Sequence, residues 1–347
     1  MKKVLCFVLA LSALLTLAAG CSGAGESKGV VNVYNWGEYI DESIFTDFEK
    51  QTGIKVNYKT YQSNEQLYSV LSLGGSDYDV IIPSDYMVSR MIDEGMLEKL
   101  DFTNIPNFEN VDGQYKNLAY DPTNEYSVPY MWGTVGLIYN TSVITDDIDS
   151  WSALFDEKYS GQILQFDNSR DAFATALLYL GYDVNTTDPS QIEEAYELLV
   201  KQKPIVQAYV MDEIYDKLEL GEAAIGPYYA GDALSMMENN PDLRFVIPKE
   251  GSNWFVDCMC IPKGAKNKTN AEAFINFMCS DEITLRNMDV TGYATPVKTA
   301  FDQLDEETKS NEIMFPSADV LSRCQVYTNL PQQTLDLYND YWTRLKS

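Results

Sequence analysis

The chain has 347 residues, a formal net charge of −27 and 12% aromatic residues. A surface this acidic repels nucleic acid and anionic lipid headgroups, which makes cations its natural small partners. Histidine is absent, which rules out Ser–His–Asp triads, Cys–His pairs and His-ligated metals and leaves an enzyme only carboxylate, Lys or Tyr chemistry.

In chain order, Met1-Lys2-Lys3 opens a positive region and residues 4–19 are apolar apart from Ser12 and Thr16. That run is short for a membrane span and ends in small residues, so 1–20 reads as an export signal. The segment closes on LAAGC, which resembles the bacterial lipoprotein signal and implies a lipid on Cys21. Residues 21–29 then form the lipidated end and a Gly/Ser-rich tether. The expectation is an exported protein anchored to the outer face of the cytoplasmic membrane, in the periplasm if a second membrane exists. Beyond Cys6 and Cys21 the cysteines are Cys258, Cys260, Cys279 and Cys324. A lone CxC without a second pair or a His is a poor metal signal, and buried thiols are expected, with a disulfide left open.

From residue 30 strand and helix signals alternate. Strands are predicted at 30–34, 54–61 and 78–84, with helices at 43–52, 64–73 and 87–95. Gly53 and Gly74 stop the first two helices. An irregular stretch at 101–128 leads to a strand at 131–140 that crosses out of the first unit. A second α/β unit follows, with strands at 161–166, 205–210, 223–229 and 253–262 and helices at 170–180, 188–202, 231–240 and 269–280. Pro189 and a Ser190-to-Glu193 capping box open the 188–202 helix. A last helix covers TLDLYNDYWTRLK. This rhythm predicts an α/β fold with mixed, mostly parallel sheets flanked by helices. Ligands in such sheets bind beyond the carboxyl ends of the strands.

Aromatic–acid clusters fall at those ends: NWGEY (35–39), PSDY (83–86), FDNSRD (166–171), GPYYAGD (226–232), NWFVD (253–257) and TGYATP (291–296). Aromatic faces attract ammonium groups by about 0.5–2 kcal/mol each and bury methylene chains. Carboxylates must then neutralise each buried ammonium. Each cluster alone has an ordinary structural explanation; Asp, Asn and Ser are common helix caps. Their shared placement points to a site for a cation with several charges.

VYNWGEYI, GIKVNYKTYQSNEQLY, YDVIIPSDYMVSRM, DPTNEYSVPYMWG, KEGSNWFVD, IPKGAKNK and TGYATP together resemble the bacterial spermidine/putrescine-binding proteins of ABC transporters. The resemblance runs from about residue 30 to the C-terminus. It implies a two-lobed periplasmic-binding-protein-like fold of type II, with the ligand cleft at a hinge. The lobes are expected at 30–135 plus 258–302 and at 136–257 plus 303–347. It further implies a non-enzymatic monomer without cofactor or metal, whose partners are a polyamine and the membrane permease of an ABC transporter.

Carried over by position, the aromatic box is Trp36, Tyr39, Tyr86, Tyr228, Phe255 and Tyr293. The amine partners are Glu38, Asp171 and Asp257, with Ser84 and Gln325 as polar contacts. The chain departs from the family pattern at Tyr228 and Phe255, where Trp is usual, at Asn168, where an acid is usual, and at Asp85, where a small hydroxyl residue is usual. Those changes leave the choice between spermidine and putrescine open. Arg170 is expected to pair with Asp167 or Asp171. Two rivals remain. The adjacent Tyr228 and Tyr229 resemble the phenolate pair of ferric-iron-binding proteins of the same fold, and paired carboxylates with aromatic walls also suit an exported glycoside hydrolase. A second role as a sensor would use the same fold and site.

Overall fold

The computed structural model describes residues 29–74 and 77–347. The export signal, Cys21 and the tether as far as residue 28 lie outside the described residues.

The first unit is β1 (Val30–Trp36), α1 (Ile44–Thr52), β2 (Lys55–Tyr61), α2 (Asn64–Ser72), β3 (Val80–Ile81) and α3 (Asp85–Asp93). Helix α1 forms because Ile44 and Phe48, one turn apart, both face the core with no exposed surface. Burying a side chain of that size contributes about 1.5–3 kcal/mol. Gly53, at φ 77°, ends the helix in the left-handed conformation that suits glycine. Strand β3 is shorter than the apolar run suggests. Pro83 lacks an N–H to donate to a ladder, and Ser84 already caps α3.

The 101–116 stretch folds as three short 3₁₀ turns. Then come β4 (Ser127–Asn140), β5 (Ile163–Phe166), α4 (Ser169–Leu180), α5 (Pro189–Gln202), β6 (Val206–Val210), α6 (Ile214–Glu219), β7 (Ile225–Tyr229), α7 (Ala230–Asn239) and β8 (Leu243–Val246). Helix α5 is capped by Asp188, whose side chain accepts from Ser190 N, and not by the expected box on Ser190. The chain returns through β9 (Trp254–Cys260), α8 (Lys268–Met278), α9 (Asp281–Thr291) and, after three four-residue helices, α10 (Gln332–Lys346).

Among the described residues the strands order as β2-β1-β3-β9-β4-β7-β5-β6, with β8 also on β4. The ladders are evenly mixed. β1 runs parallel to β2 and β3, and β5 to β6 and β7. β9 and β4 are antiparallel to every neighbour they pair with. Strand β4 joins the two halves: Ser127 to Thr134 pair with β9, and Val135 to Tyr139 pair with β7. Because β9 runs against β3, its first residues lie beside the carboxyl ends of β1 and β3. Residues 36–39, 84–86, 166–171, 228–232 and 254–257 therefore converge on one region.

Three apolar clusters hold the elements in place. One contains Tyr34, Tyr61, Met91, Trp132, Cys258 and Cys260, so the two cysteines share a face. A third joins α4, α5 and α10 through Phe173, Leu177, Ile192, Leu199, Tyr338 and Leu345. Cys258, Cys260 and Cys279 are buried free thiols, and Cys324 is free and half-buried. No helix among the described residues is long and apolar enough to cross a membrane.

Candidate functional site

The convergent strand ends line a cleft of about 740 Å³, part of it open to solvent. Trp36, Tyr39, Tyr86, Tyr228, Tyr229, Phe255, Tyr293 and Tyr327 wall it, and Glu65, Asp171, Asp212, Asp232 and Asp257 add carboxylates. No Lys or Arg is among its lining residues.

Each carboxylate is held by phenols. Asp257 enters from β9, and its Oδ2 accepts from the Tyr39 hydroxyl at 2.7 Å. Its Oδ1 is buried without a hydrogen-bond partner. Burial pushes this carboxyl up to about 6, against the Ser84 and Tyr39 hydroxyls, which favour the ionised form. Asp232, in the first turn of α7, accepts from Tyr215 at 2.7 Å and from Tyr293 at 2.7 Å. Burial raises it to about 7, and the Asp212 and Glu38 charges add to the rise. Asp171, in the first turn of α4, accepts from Tyr229 at 2.6 Å, Asn168 Nδ2 at 2.8 Å and Tyr327 at 2.9 Å. Glu65 accepts from Tyr86 at 3.0 Å, and burial raises its pKa. Asp212 is half-buried and also raised, by burial first and then by Glu213 and Glu38.

The walls are fixed in turn. Trp36 Nε1 donates to Ile82 O at 2.9 Å, and the indole tilts against Tyr61. Tyr39 meets Tyr130 and Tyr293 edge-on, and its own carbonyl accepts from Tyr130. Two glycines allow close approach. A Cβ on Gly37 would collide with the Asp212 carboxylate, and one on Gly231 would collide with the Tyr293 ring. Only a bare backbone lets these elements meet.

Of the residues predicted from sequence, the structure brings Trp36, Tyr39, Ser84, Tyr86, Asn168, Asp171, Tyr228, Phe255, Asp257 and Tyr293 together around the cavity. Three lie elsewhere. Glu38 sits in a turn at φ 46° and is exposed, so its side chain reaches solvent at the rim. Asp85 is 1% exposed and turned inward, accepting from Tyr86 N at 2.6 Å and Val256 N at 3.3 Å. Burial there pushes it up to about 8. Gln325 uses its side chain to accept from Val184 N at 3.0 Å, and Tyr327, two residues on, reaches the cavity instead. Arg170 forms no ion pair with Asp167 or Asp171; Asp167 pairs with Lys346 at 2.7 Å. The Arg170 guanidinium donates to Asn185 and lies over the Tyr327 and Tyr86 rings.

Tyr229, Asp232, Asp212, Glu65 and Tyr327 were not singled out as site residues from sequence. Asp232 and Tyr229 lie inside the GPYYAGD cluster. The signal for them was Gly231, which lets another ring pack on the start of α7. Tyr228 and Tyr229 do not form a phenolate pair. Their hydroxyls go to different carboxylates, Asp212 at 3.4 Å and Asp171 at 2.6 Å. Burial and the neighbouring carboxylates push both phenols well above their usual range.

Residues 43–316 match the family described as bacterial extracellular solute-binding protein. The chain is 36% identical to the spermidine/putrescine-binding periplasmic protein of Salmonella typhimurium, over 100% of this chain and 99% of that protein. A putative spermidine/putrescine ABC transporter structure from Listeria monocytogenes superposes with TM-score 0.88 at 41% identity, covering 91% of this chain and 98% of that one. The spermidine/putrescine ABC transporter substrate-binding protein PotD from Streptococcus pneumoniae gives TM-score 0.77 at 38% identity, covering 92% and 99%. The fold is the two-lobed type II arrangement of periplasmic binding proteins, and the chain belongs to the bacterial extracellular solute-binding protein family.

Proposed function

We propose that the protein captures a linear polyamine, spermidine or putrescine, outside the cytoplasmic membrane and delivers it to an ABC importer. The observation that carries this reading is a cavity with five carboxylates, eight aromatic walls and no Lys or Arg among its lining residues. An ammonium beside Asp257 satisfies the unpartnered Oδ1 and gains a charge-assisted hydrogen bond. Methylene segments lie against the Trp36, Phe255 and Tyr rings, which supply cation–π attraction and exclude water. The acids fall into stations: Glu65 and Asp171 at one end, Asp257 between, and Asp232 and Asp212 at the other. In this reading Glu38 at the rim steers cations inward and binds none tightly.

The lobes close over the ligand by a hinge. We assign 30–134 with 254–321 to one lobe and 135–253 with 322–347 to the other. Strand β4 changes ladder at Thr134 to Val135, and Phe315 packs on Trp132 and Phe301, which supports counting 303–321 with the first lobe instead of the second. Cys21 carries the lipid anchor, as its LAAGC context supports.

Equilibrium dialysis of the purified protein against labelled spermidine and putrescine tests the reading. Saturable binding displaced by the other amine is expected. Retention no greater than that of a neutral diol of equal length would overturn it. The iron and glycosidase alternatives are not favoured.

A further inference from the structure

A second cavity adjoins the first, and the two share Glu65 and Tyr86. Its lining changes sign: Arg90 and Arg170 face it. Arg170 is 5% exposed, and its Nε is buried without a hydrogen-bond partner. Among the described residues no carboxylate lies within ion-pair distance of it. Its guanidinium carbon lies 4.6 Å from the Tyr327 ring centre and 5.4 Å from that of Tyr86. Those two rings meet edge-on at 5.7 Å and both line the main cavity. The positive group therefore stands directly behind the wall at the Glu65–Asp171 end. Buried arginines are normally paired with carboxylates. This one touches aromatic faces and Asn185, and Glu65 and Asp85 feel its charge without bonding to it.

We propose that Arg170 sets the maximum length of the ligand. The inference rests on the polyamine reading. Three acid stations accept up to three ammonium groups in line. A longer amine that extends at this end has to pass between Tyr86 and Tyr327 and place its next ammonium beside the guanidinium. Like charges in a dry site repel strongly, and the repulsion is steepest for the ammonium placed beside the guanidinium, so it disfavours the tetraamine more than the triamine. Specificity at this end thus comes from a repulsive group.

Calorimetric titration of the purified protein with spermidine and with spermine, a linear tetraamine, tests this. Arg170→Met removes the charge and keeps most of the apolar stem, and Arg170→Lys keeps the charge. The expected result is that Arg170→Met raises the spermine-to-spermidine affinity ratio by at least about tenfold, while Arg170→Lys leaves it near the unaltered value. The ratio still reports if Arg170→Met weakens both amines. If that variant fails to fold, Arg170→Gln carries the same comparison. A ratio unchanged by removal of the charge, or shifted equally by Arg170→Lys, overturns the inference. Absence of binding of both spermidine and putrescine to the unaltered protein sinks the polyamine reading as well, so the two failures are told apart.

Discussion

Asp257 illustrates how the site works at the level of single residues. One oxygen is occupied by Tyr39, the other has no partner, and burial holds the carboxyl at about 6. Its full charge appears once a cation arrives. Asp257→Asn removes a buried charge pair from the complex and should weaken polyamine binding by about 2–5 kcal/mol in a calorimetric titration. Glu38→Gln, at the exposed rim, should change affinity by no more than about threefold and mainly slow association at low salt, a difference that shrinks as salt rises. Equal losses from the two variants would contradict the placement of Glu38. The cluster NWGEY showed that an acid and two aromatics share a strand end. It did not show that the turn at Glu38 points its side chain outward, because only the backbone φ decides that.

At the scale of elements, the α7 start packs closely against the Tyr293 ring. Gly231 gives up its side chain so that Tyr293 can lie on the helix and reach Asp232. Gly231→Ala should force the ring away at a cost of about 1–3 kcal/mol in unfolding stability, and lower polyamine affinity as well. Unchanged stability and affinity, measured by denaturant unfolding and titration, would contradict this contact. Regular elements were legible where their pattern was clean. Ile44 and Phe48 mark α1, and short apolar runs mark β1 and β5. Helix α9 was not foreseen, because its buried face includes Thr284, Asn287 and Thr291 beside Ile283 and Met288. A polar buried face hides the helical period. The even mixture of ladders was also hidden. A returning strand such as β9 looks the same in sequence whichever way it pairs. Tyr327 was missed in favour of Gln325 because the segment pairs through a single bridge, at Gln325, and so short a pairing leaves no alternation in the sequence to mark which side chain turns inward.

Across the whole molecule, several carboxylates are held above their usual range: Asp257 at about 6, Asp232 at about 7 and Asp85 at about 8. A raised folded pKa on an acid contributes stability below its unfolded value and loses it as pH rises through the folded one. The ligand-free protein should therefore lose stability between about pH 5 and 8. A polyamine favours the ionised acids at Asp232 and Asp257, so its affinity should rise over the same window. The increase in Tm caused by ligand should grow with pH, as read by differential scanning calorimetry; an increase that shrinks with pH would contradict the assignment of these acids.

The central claim is that the acid-lined cavity takes up a polyamine as a multiply charged cation. Titration calorimetry of the ligand-free protein with spermidine and putrescine, near neutral pH in buffers of different ionisation enthalpy, tests it most directly. The account predicts saturable 1:1 binding with protons released to the buffer, because Asp232 and Asp257 ionise as ammonium groups enter. Binding of neither amine by a folded sample would contradict it.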